Sequence, residues 1–242
     1  MGCASTYGKQ ITAENPNSTP VAIKFQSPPP PPDRGEPTGR AQGGAGRGCV
    51  PTALVPLTKS NNGDSLWGLT VAERPQFWFS VPRNLTPKDA VEFVLEDDQG
   101  KEVYKTRLKN TNIPQGIVSF TIPQQTPPLQ IGKIYNWSFS IYCDYKTVED
   151  RPGTVRGRIQ RNPISTTLKN QLADAKTPIA QATAYAQNSI WFDALTVLAV
   201  NMRDKKEKDI SSAWTQLLEQ ANLQQVVSFP VTNCCTPVQK SS

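Results

Sequence analysis

The sequence predicts an α+β protein: an antiparallel β-sandwich preceded by an extended arm and followed by a small helical region. Three observations carry that prediction. Apolar residues alternate at period two through short segments between residues 66 and 161, the signature of half-buried strands. From about Ser165 the apolar spacing changes to three and four, the period of helices. From Pro28 to Gly48 almost nothing is suited to a core: five consecutive prolines, Pro28 to Pro32, precede Gly35, Gly39, Gly43, Gly44, Gly46 and Gly48. The expected division is an arm over 1–50, a β domain over 51–162, a helical region over 163–225 and a tail over 226–242.

Within the arm only Val21 to Phe25 (VAIKF) is strand-like. The proline run after it favours an extended, semi-rigid spacer. The glycine-rich stretch with Arg34, Arg40 and Arg47 reads by composition as a disordered linker unless something holds it.

The β domain is clearest over Ile134 to Asp144. Tyr135, Trp137, Phe139, Ile141 and Cys143 fall on one face, and Asn136, Ser138, Ser140 and Asp144 on the other. Phe77, Phe79 and Val81 alternate between Pro75 and Pro82. Val91, Phe93 and Leu95 alternate against Glu92 and Glu96, and Asp98-Gln99-Gly100 then turns the chain into Val103 to Leu108. Leu66 to Val71, Val118 to Ile122 and Thr154 to Gln160 bring the expected strands to seven, a number and spacing that fit an immunoglobulin-like sandwich.

In the helical region Thr177 precedes Pro178 as an N-cap precedes a first-turn proline. Ile190, Ala194, Leu195, Leu198 and Met202 form one stripe, and Ile210, Trp214, Leu217, Leu218 and Ala221 the next, with Asp209 where a cap is wanted. Tyr185 to Leu218 has the small-and-aromatic rhythm of a tetratricopeptide-like hairpin. One such unit cannot bury its own face, so the helices are expected to pack on the sandwich, and the length excludes a peptide-binding solenoid.

Composition narrows the chemistry. The 242 residues carry a net charge of +6 and no histidine, which excludes triads and metal sites that need an imidazole. The basic charge is diffuse, with Lys205, Lys206 and Lys208 interleaved with Glu207 and Asp209, so nucleic acid is not an expected partner. No run of about 18 apolar residues occurs, so no segment reads as a bilayer-spanning helix. Phosphate-binding loops and nucleophile elbows are missing, and Asp144, Glu149 and Asp150 do not have calcium-loop spacing. The expectation is a non-enzymatic protein with no cofactor and no metal.

Five cysteines remain: Cys3, Cys49, Cys143, Cys234 and Cys235, none in a CxxC arrangement. Cys143, on the apolar face of its strand, reads either as a buried thiol or as the partner of Cys49. The bridge would tether the arm to the core and contribute about 4 to 5 kcal/mol by loop-closure entropy. Cys234 and Cys235 could bond to each other or to a neighbour. Met1-Gly2-Cys3-Ala4-Ser5-Thr6 fits two lipidation patterns: myristoylation with palmitate on Cys3, or the end of a bacterial lipoprotein signal whose apolar region is not in the sequence. A cytosolic myristoylated protein would not form the disulfide, so the two ideas exclude one another.

The run from Pro28 to Cys49, then Ala53-LVPL, Gly68-LTVAERPQFWFSVP, Ala90-VEFVLEDDQG, Ile141-YCD and Asn188-SIWFDAL together resemble the cyanobacterial domain-of-unknown-function family 928. The resemblance runs from Pro28 to Leu223. It implies a secreted or envelope protein, implies Cys49 and Cys143 as the paired positions, and disfavours myristoylation. It departs from the family pattern in lacking an apolar signal segment before the proline run.

Two functions are expected from these features. The first is a structural or interaction protein of the cell envelope, with a protein partner or its own copies as partner and membrane contact only through a lipid on Cys3. Val21, Ile23 and Phe25 would add a strand to a neighbour's sheet edge or fold back on their own sandwich, with Arg40 and Arg47 anchoring the crossing; repeated head to tail, this gives a filament. The alternative is a glycan- or peptide-binding module using Trp78 and Tyr142, which lie on the outward faces of their strands unless the helical tail covers them.

Overall fold

The computed structural model describes residues 22–30, 49–60, 63–109, 112–144, 152–204, 208–232 and 235. Among the described residues, nine strands and four α-helices make it an α+β protein. The strands are β1 (Thr52–Ala53), β2 (Leu57–Ser60), β3 (Gly63–Thr70), β4 (Gln76–Val81), β5 (Ala90–Glu96), β6 (Glu102–Lys109), β7 (Gly116–Thr121), β8 (Ile134–Tyr142) and β9 (Gly153–Arg161). The helices are α1 (Thr166–Asp174), α2 (Pro178–Gln187), α3 (Trp191–Asp204) and α4 (Lys208–Gln220).

The seven segments expected to be strands are β3 to β9. β1 and β2 are additions, and β2 pairs antiparallel with β3 from Leu57 opposite Leu66 to Ser60 opposite Gly63. The strands form a three-stranded sheet, ordered β1-β4-β7, and a six-stranded sheet, ordered β2-β3-β9-β8-β5-β6. All pairings are antiparallel except β3 with β9. The turn between β5 and β6 works as its sequence requires: Asp97 Oδ1 accepts the Gln99 and Lys101 N–H groups, and Gly100 takes a φ of 78°.

Period-two burial brings the two sheets together through aromatic rings. Phe79 of β4 stacks on Phe139 of β8 with centroids 4.3 Å apart, and Phe93 of β5 lies over Phe120 of β7 at 5.6 Å. Each pair joins one sheet to the other, so the core lies between them. Tyr135, at the start of β8, accepts the Gln130 N–H on its hydroxyl at 3.0 Å and fixes the corner leading into that strand.

The helices pack on the strands and close the core. Thr177 caps α2, its hydroxyl accepting from Ala180 N–H, with Pro178 in the first turn as expected. Asp209 does not cap α4, because Lys208 is already helical and Asp209 lies inside the first turn. There its charge still complements the helix dipole. Phe192 of α3 meets Phe77 of β4 at 5.5 Å, and the Trp191 indole N–H donates to the Leu54 carbonyl. After α4 the chain returns to β7: Ile117 N–H donates to Pro230 O and Thr232 N–H to Ile117 O.

Candidate functional site

The described part of the arm is held by helices. Residues 22–30 form no strand and pair with no sheet edge. The expected folding back as a strand is therefore not formed on this chain's own sheets. Instead, Ile23 N–H donates to Gln216 Oε1 at 3.1 Å, Phe25 N–H to Gln220 Oε1 at 2.8 Å, and Gln220 Nε2 to the Ile23 carbonyl at 2.8 Å. Gln26 N–H donates to Ala186 O, at the C-terminal end of α2, at 3.0 Å. Gln216 and Gln220 are four residues apart on α4 and so share one face. Their amides present donors and acceptors to an extended backbone as a neighbouring strand would.

Side chains add to this. Ile23 is only 2% exposed, and Phe25 meets Trp191 edge to face at 4.9 Å. Further along, Pro28 is buried and Pro29 O accepts from the Trp67 indole N–H at 3.0 Å. The arm thus crosses from α4, over Trp191, to β3. An extended segment does lie on these few helices without a solenoid, and it belongs to the chain itself. Of the other arm residues singled out, Val21, Arg40 and Arg47 lie outside the described residues, as does Cys3.

The second point of attachment is covalent. Cys49 and Cys143 form a disulfide with Cα atoms 6.2 Å apart, closing a separation of 94 residues. Cys49 is buried, and Gly153 makes room for it: a Cβ there would collide with the Cys49 carbonyl. Arg83 lies against the bridge, its Nη2 2.8 Å from Cys143 Sγ, and is held by Asp89 at 2.9 Å. Asp89 also accepts from the N–H groups of Thr86 and Asp144. Cys235 is in a disulfide as well, with Cys234 outside the described residues. A buried disulfide is the mark of an oxidising environment. Among the described residues no helix is long and apolar enough to cross a membrane, and no cluster of three or more acidic or cysteine side chains is arranged to hold a metal.

Over residues 40–231 the sequence matches the family described as Domain of Unknown Function (DUF928). The chain belongs to that family. A comparison with curated proteins finds no match. Among solved structures, the DUF928 chain is similar to a beta-glucuronidase of Parabacteroides merdae with glycerol in its active site, at 16% identity and a TM-score of 0.27, over 38% of this chain and 12% of that one. A second structure of the same enzyme gives 17% identity and a TM-score of 0.26, over 44% of this chain and 13% of that one. The DUF928 chain therefore spans only a small part of those enzymes, and the likeness carries no argument about activity.

The two aromatics expected to face a ligand are differently placed. Trp78 does point away from the inter-sheet core, but it is 1% exposed beneath α3, where its indole N–H donates to Thr196 Oγ1 at 3.0 Å. That burial removes it from any surface platform. Tyr142 is half-buried on the other sheet. The Arg107 guanidinium lies 4.1 Å from its ring centre, and its hydroxyl donates to Glu92 Oε1. Lys105 and Arg107 both pair with Glu92, so one face of this ring is already covered by a charge cluster. Of the acidic loop residues, Asp144 is described and Glu149 and Asp150 are not.

Two carboxyls give the DUF928 chain a pH dependence with opposite signs. Asp193, in the first turn of α3, accepts from Thr70 Oγ1 at 2.6 Å and from Val71 N–H at 3.3 Å, pinning the helix to the end of β3. Burial pushes its pKa up to about 6 against the lowering effect of those bonds. Burial also acts to raise Asp89, but Arg83 and the Thr86 and Asp144 N–H groups outweigh it and hold the carboxyl at about 2. A pKa raised on folding stabilises most below its ordinary value, so the Asp193 contribution declines as pH rises from about 4 to 6. Asp89 contributes fully above about 4 and loses its contribution as pH falls toward 2. In urea unfolding across this range, Asp193→Asn is expected to remove the decline between pH 4 and 6 and leave the acid limb. Asp89→Asn should do the reverse. A D193N curve parallel to wild type between pH 4 and 6 would disprove the assignment.

Proposed function

We propose that this DUF928 chain is a non-enzymatic, extracytoplasmic interaction protein of the cyanobacterial cell envelope that assembles by placing its N-terminal arm on the helices of a neighbouring copy. One observation carries the reading: the arm segment Ile23–Gln26 is held through its backbone by Gln216, Gln220 and Ala186, far away in sequence. A contact made through backbone groups and separated from its own domain by residues 31–48 can be made equally well by another copy. Those residues can span at most about 60 Å, enough to reach a neighbour's helices. The Cys49–Cys143 bridge ties the near end of that connection to the β domain.

The finer architecture supports the same class of protein. The order β9-β8-β5-β6 faced by β4-β7 follows the G-F-C-C′ and B-E order of an immunoglobulin-like sandwich, and Tyr135 occupies the place of its tyrosine corner. In the helical region, α2 and α3 form a tetratricopeptide-like hairpin with α4 as a third helix. Peptide binding is the alternative reading, favoured over glycan binding because the described groove already holds an extended peptide segment. A lipid on Cys3 would anchor the assembly, and intact mass of protein from native membranes reads it directly.

Sedimentation of the full chain over a wide concentration range tests the assembly. Concentration-dependent association, lost in Gln216→Ala/Gln220→Ala, is the expected result. A monomer at every concentration overturns it.

A further inference from the structure

The disulfide between the segment ahead of β1 and the end of β8 has two unlike sulfurs. Cys49 is buried, whereas Cys143 is half-buried and adjoins the exposed Asp144. Cys143 is therefore the half of the bridge open to attack from solvent. A guanidinium lies across both: Arg83 Nη2 is 2.8 Å from Cys143 Sγ and 3.6 Å from Cys49 Sγ. This nitrogen carries two N–H groups. One goes to Asp89 Oδ1 at 2.9 Å, which leaves the other for the sulfurs. Arg83 Nη1 donates to Asp89 Oδ2 and to the Asn84 carbonyl, so the guanidinium is clamped from its far side. Asp89 is held in turn by the N–H groups of Thr86 and Asp144, the latter next to Cys143.

A neutral disulfide sulfur is a weak acceptor, and a cationic donor turned on it gains little. A thiolate beside the same donor gains a charge-assisted hydrogen bond. The arrangement thus suits sulfur that carries negative charge, which arises only while the bridge is exchanged or once it is reduced.

We propose that the Cys49–Cys143 bridge is a site of thiol–disulfide exchange, attacked at Cys143 by an external dithiol while Arg83 stabilises the charge that develops on the cysteine sulfurs. The inference goes beyond the arm-binding reading and does not depend on it. One sulfur of the dithiol, as thiolate, attacks Cys143 Sγ. A mixed disulfide forms as the Cys49–Cys143 bond breaks, and the electron pair leaves on Cys49 Sγ. The second thiol of the reagent then loses its proton and attacks the first, closing a disulfide within the reagent and releasing the Cys143 thiolate. The dithiol gives up two electrons, the bridge takes them, and both cysteines end protonated from water. In the first transition state the negative charge is spread over three sulfurs in line, and Arg83 Nη2 reaches two of them. Reduction opens the covalent loop around the β domain and leaves the chain after Cys49 to the pairing of β1 with β4. The stability of the fold is thereby coupled to the dithiol around it.

The test reduces the folded full chain with dithiothreitol, without denaturant, and follows the Cys49–Cys143 pair by peptide mapping, apart from the bridge at Cys235. Arg83→Gln is expected to slow this reduction about tenfold, the worth of one hydrogen bond to a charged group. Arg83→Lys should slow it less, since it keeps the charge and loses the planar fork. A purely stabilising Arg83 predicts the opposite: without its pair to Asp89 the fold loosens and reduction accelerates. A second measurement needs no variant. Wild type is treated with glutathione, quenched in acid, and its free thiols are capped with N-ethylmaleimide. Glutathione is expected on Cys143 and the cap on Cys49. Reduction of R83Q as fast as wild type or faster, glutathione on Cys49, or a bridge that resists both reagents in the folded chain would overturn the proposal.

Discussion

Replacing Cys143 with serine is expected to lower the unfolding free energy by about 4 to 5 kcal/mol, through the loss of a closed loop of nearly a hundred residues in the unfolded chain. The bridge spans 94 residues, from ahead of β1 to the end of β8, and therefore encloses most of the β domain. For a chain of this size the loss corresponds to a fall in Tm on the order of 10–20 °C. The native side should add to the effect. Cys49 is buried against Gly153, and Arg83 loses a sulfur partner and keeps Asp89 and the Asn84 carbonyl. Urea unfolding of the wild type with and without a dithiol reductant, beside Cys49→Ser, Cys143→Ser and the double variant, checks this. All three variants should share one stability, equal to that of the reduced wild type. A reduced wild type as stable as the oxidised one would show that the loop is already constrained in the unfolded ensemble.

The β domain was legible because its strands obey two constraints at once. Phe77 and Phe79, or Trp137 and Phe139, must alternate to face one core, and Pro75, Pro82 and Gly100 mark where strands stop. β1 and β2 escaped because Thr52–Ala53 is too short to show a period and Leu57–Ser60 holds one apolar residue, although Asn61-Asn62-Gly63 was a turn signal between β2 and β3. The face of Trp78 follows from alternation; its cover by α3 depends on a helix more than a hundred residues away. The arm is the most instructive case. Alternation in VAIKF foretold which side of Ile23 would be buried, but not against what. Backbone groups of an extended segment need partners, and strand edges and glutamine amides supply them equally well. Gln216 and Gln220 had no signal, since glutamine is an ordinary helix former on any exposed face. Asp193 and Arg83 had no signal either, because their partners, Thr70 and Cys143, are distant in the chain.

Trp191 should give the second large effect, because three parts of the protein meet on it. Its indole N–H donates to Leu54 O beside β1, its ring receives Phe25 of the arm edge-on, and its backbone opens α3. It has no exposed surface. Trp191→Ala is expected to cost about 3 to 5 kcal/mol, as burial is lost and a cavity is left, and also to release the arm. Trp191→Phe keeps a ring for Phe25 but leaves the Leu54 carbonyl without its donor, a loss of about 1 to 3 kcal/mol. The pair separates two roles that stability alone would confound. Limited proteolysis under native conditions reads the arm, since an undocked segment around Ile23–Pro30 becomes cleavable while the folded domain stays resistant. Cleavage should accelerate in W191A well beyond what its stability loss allows, and change little in W191F. If the arm stays protected in W191A while the protein remains folded, then Gln216 and Gln220 hold it without the ring. Backbone capture would then be sufficient by itself, and any extended segment able to reach α4 could compete for the groove.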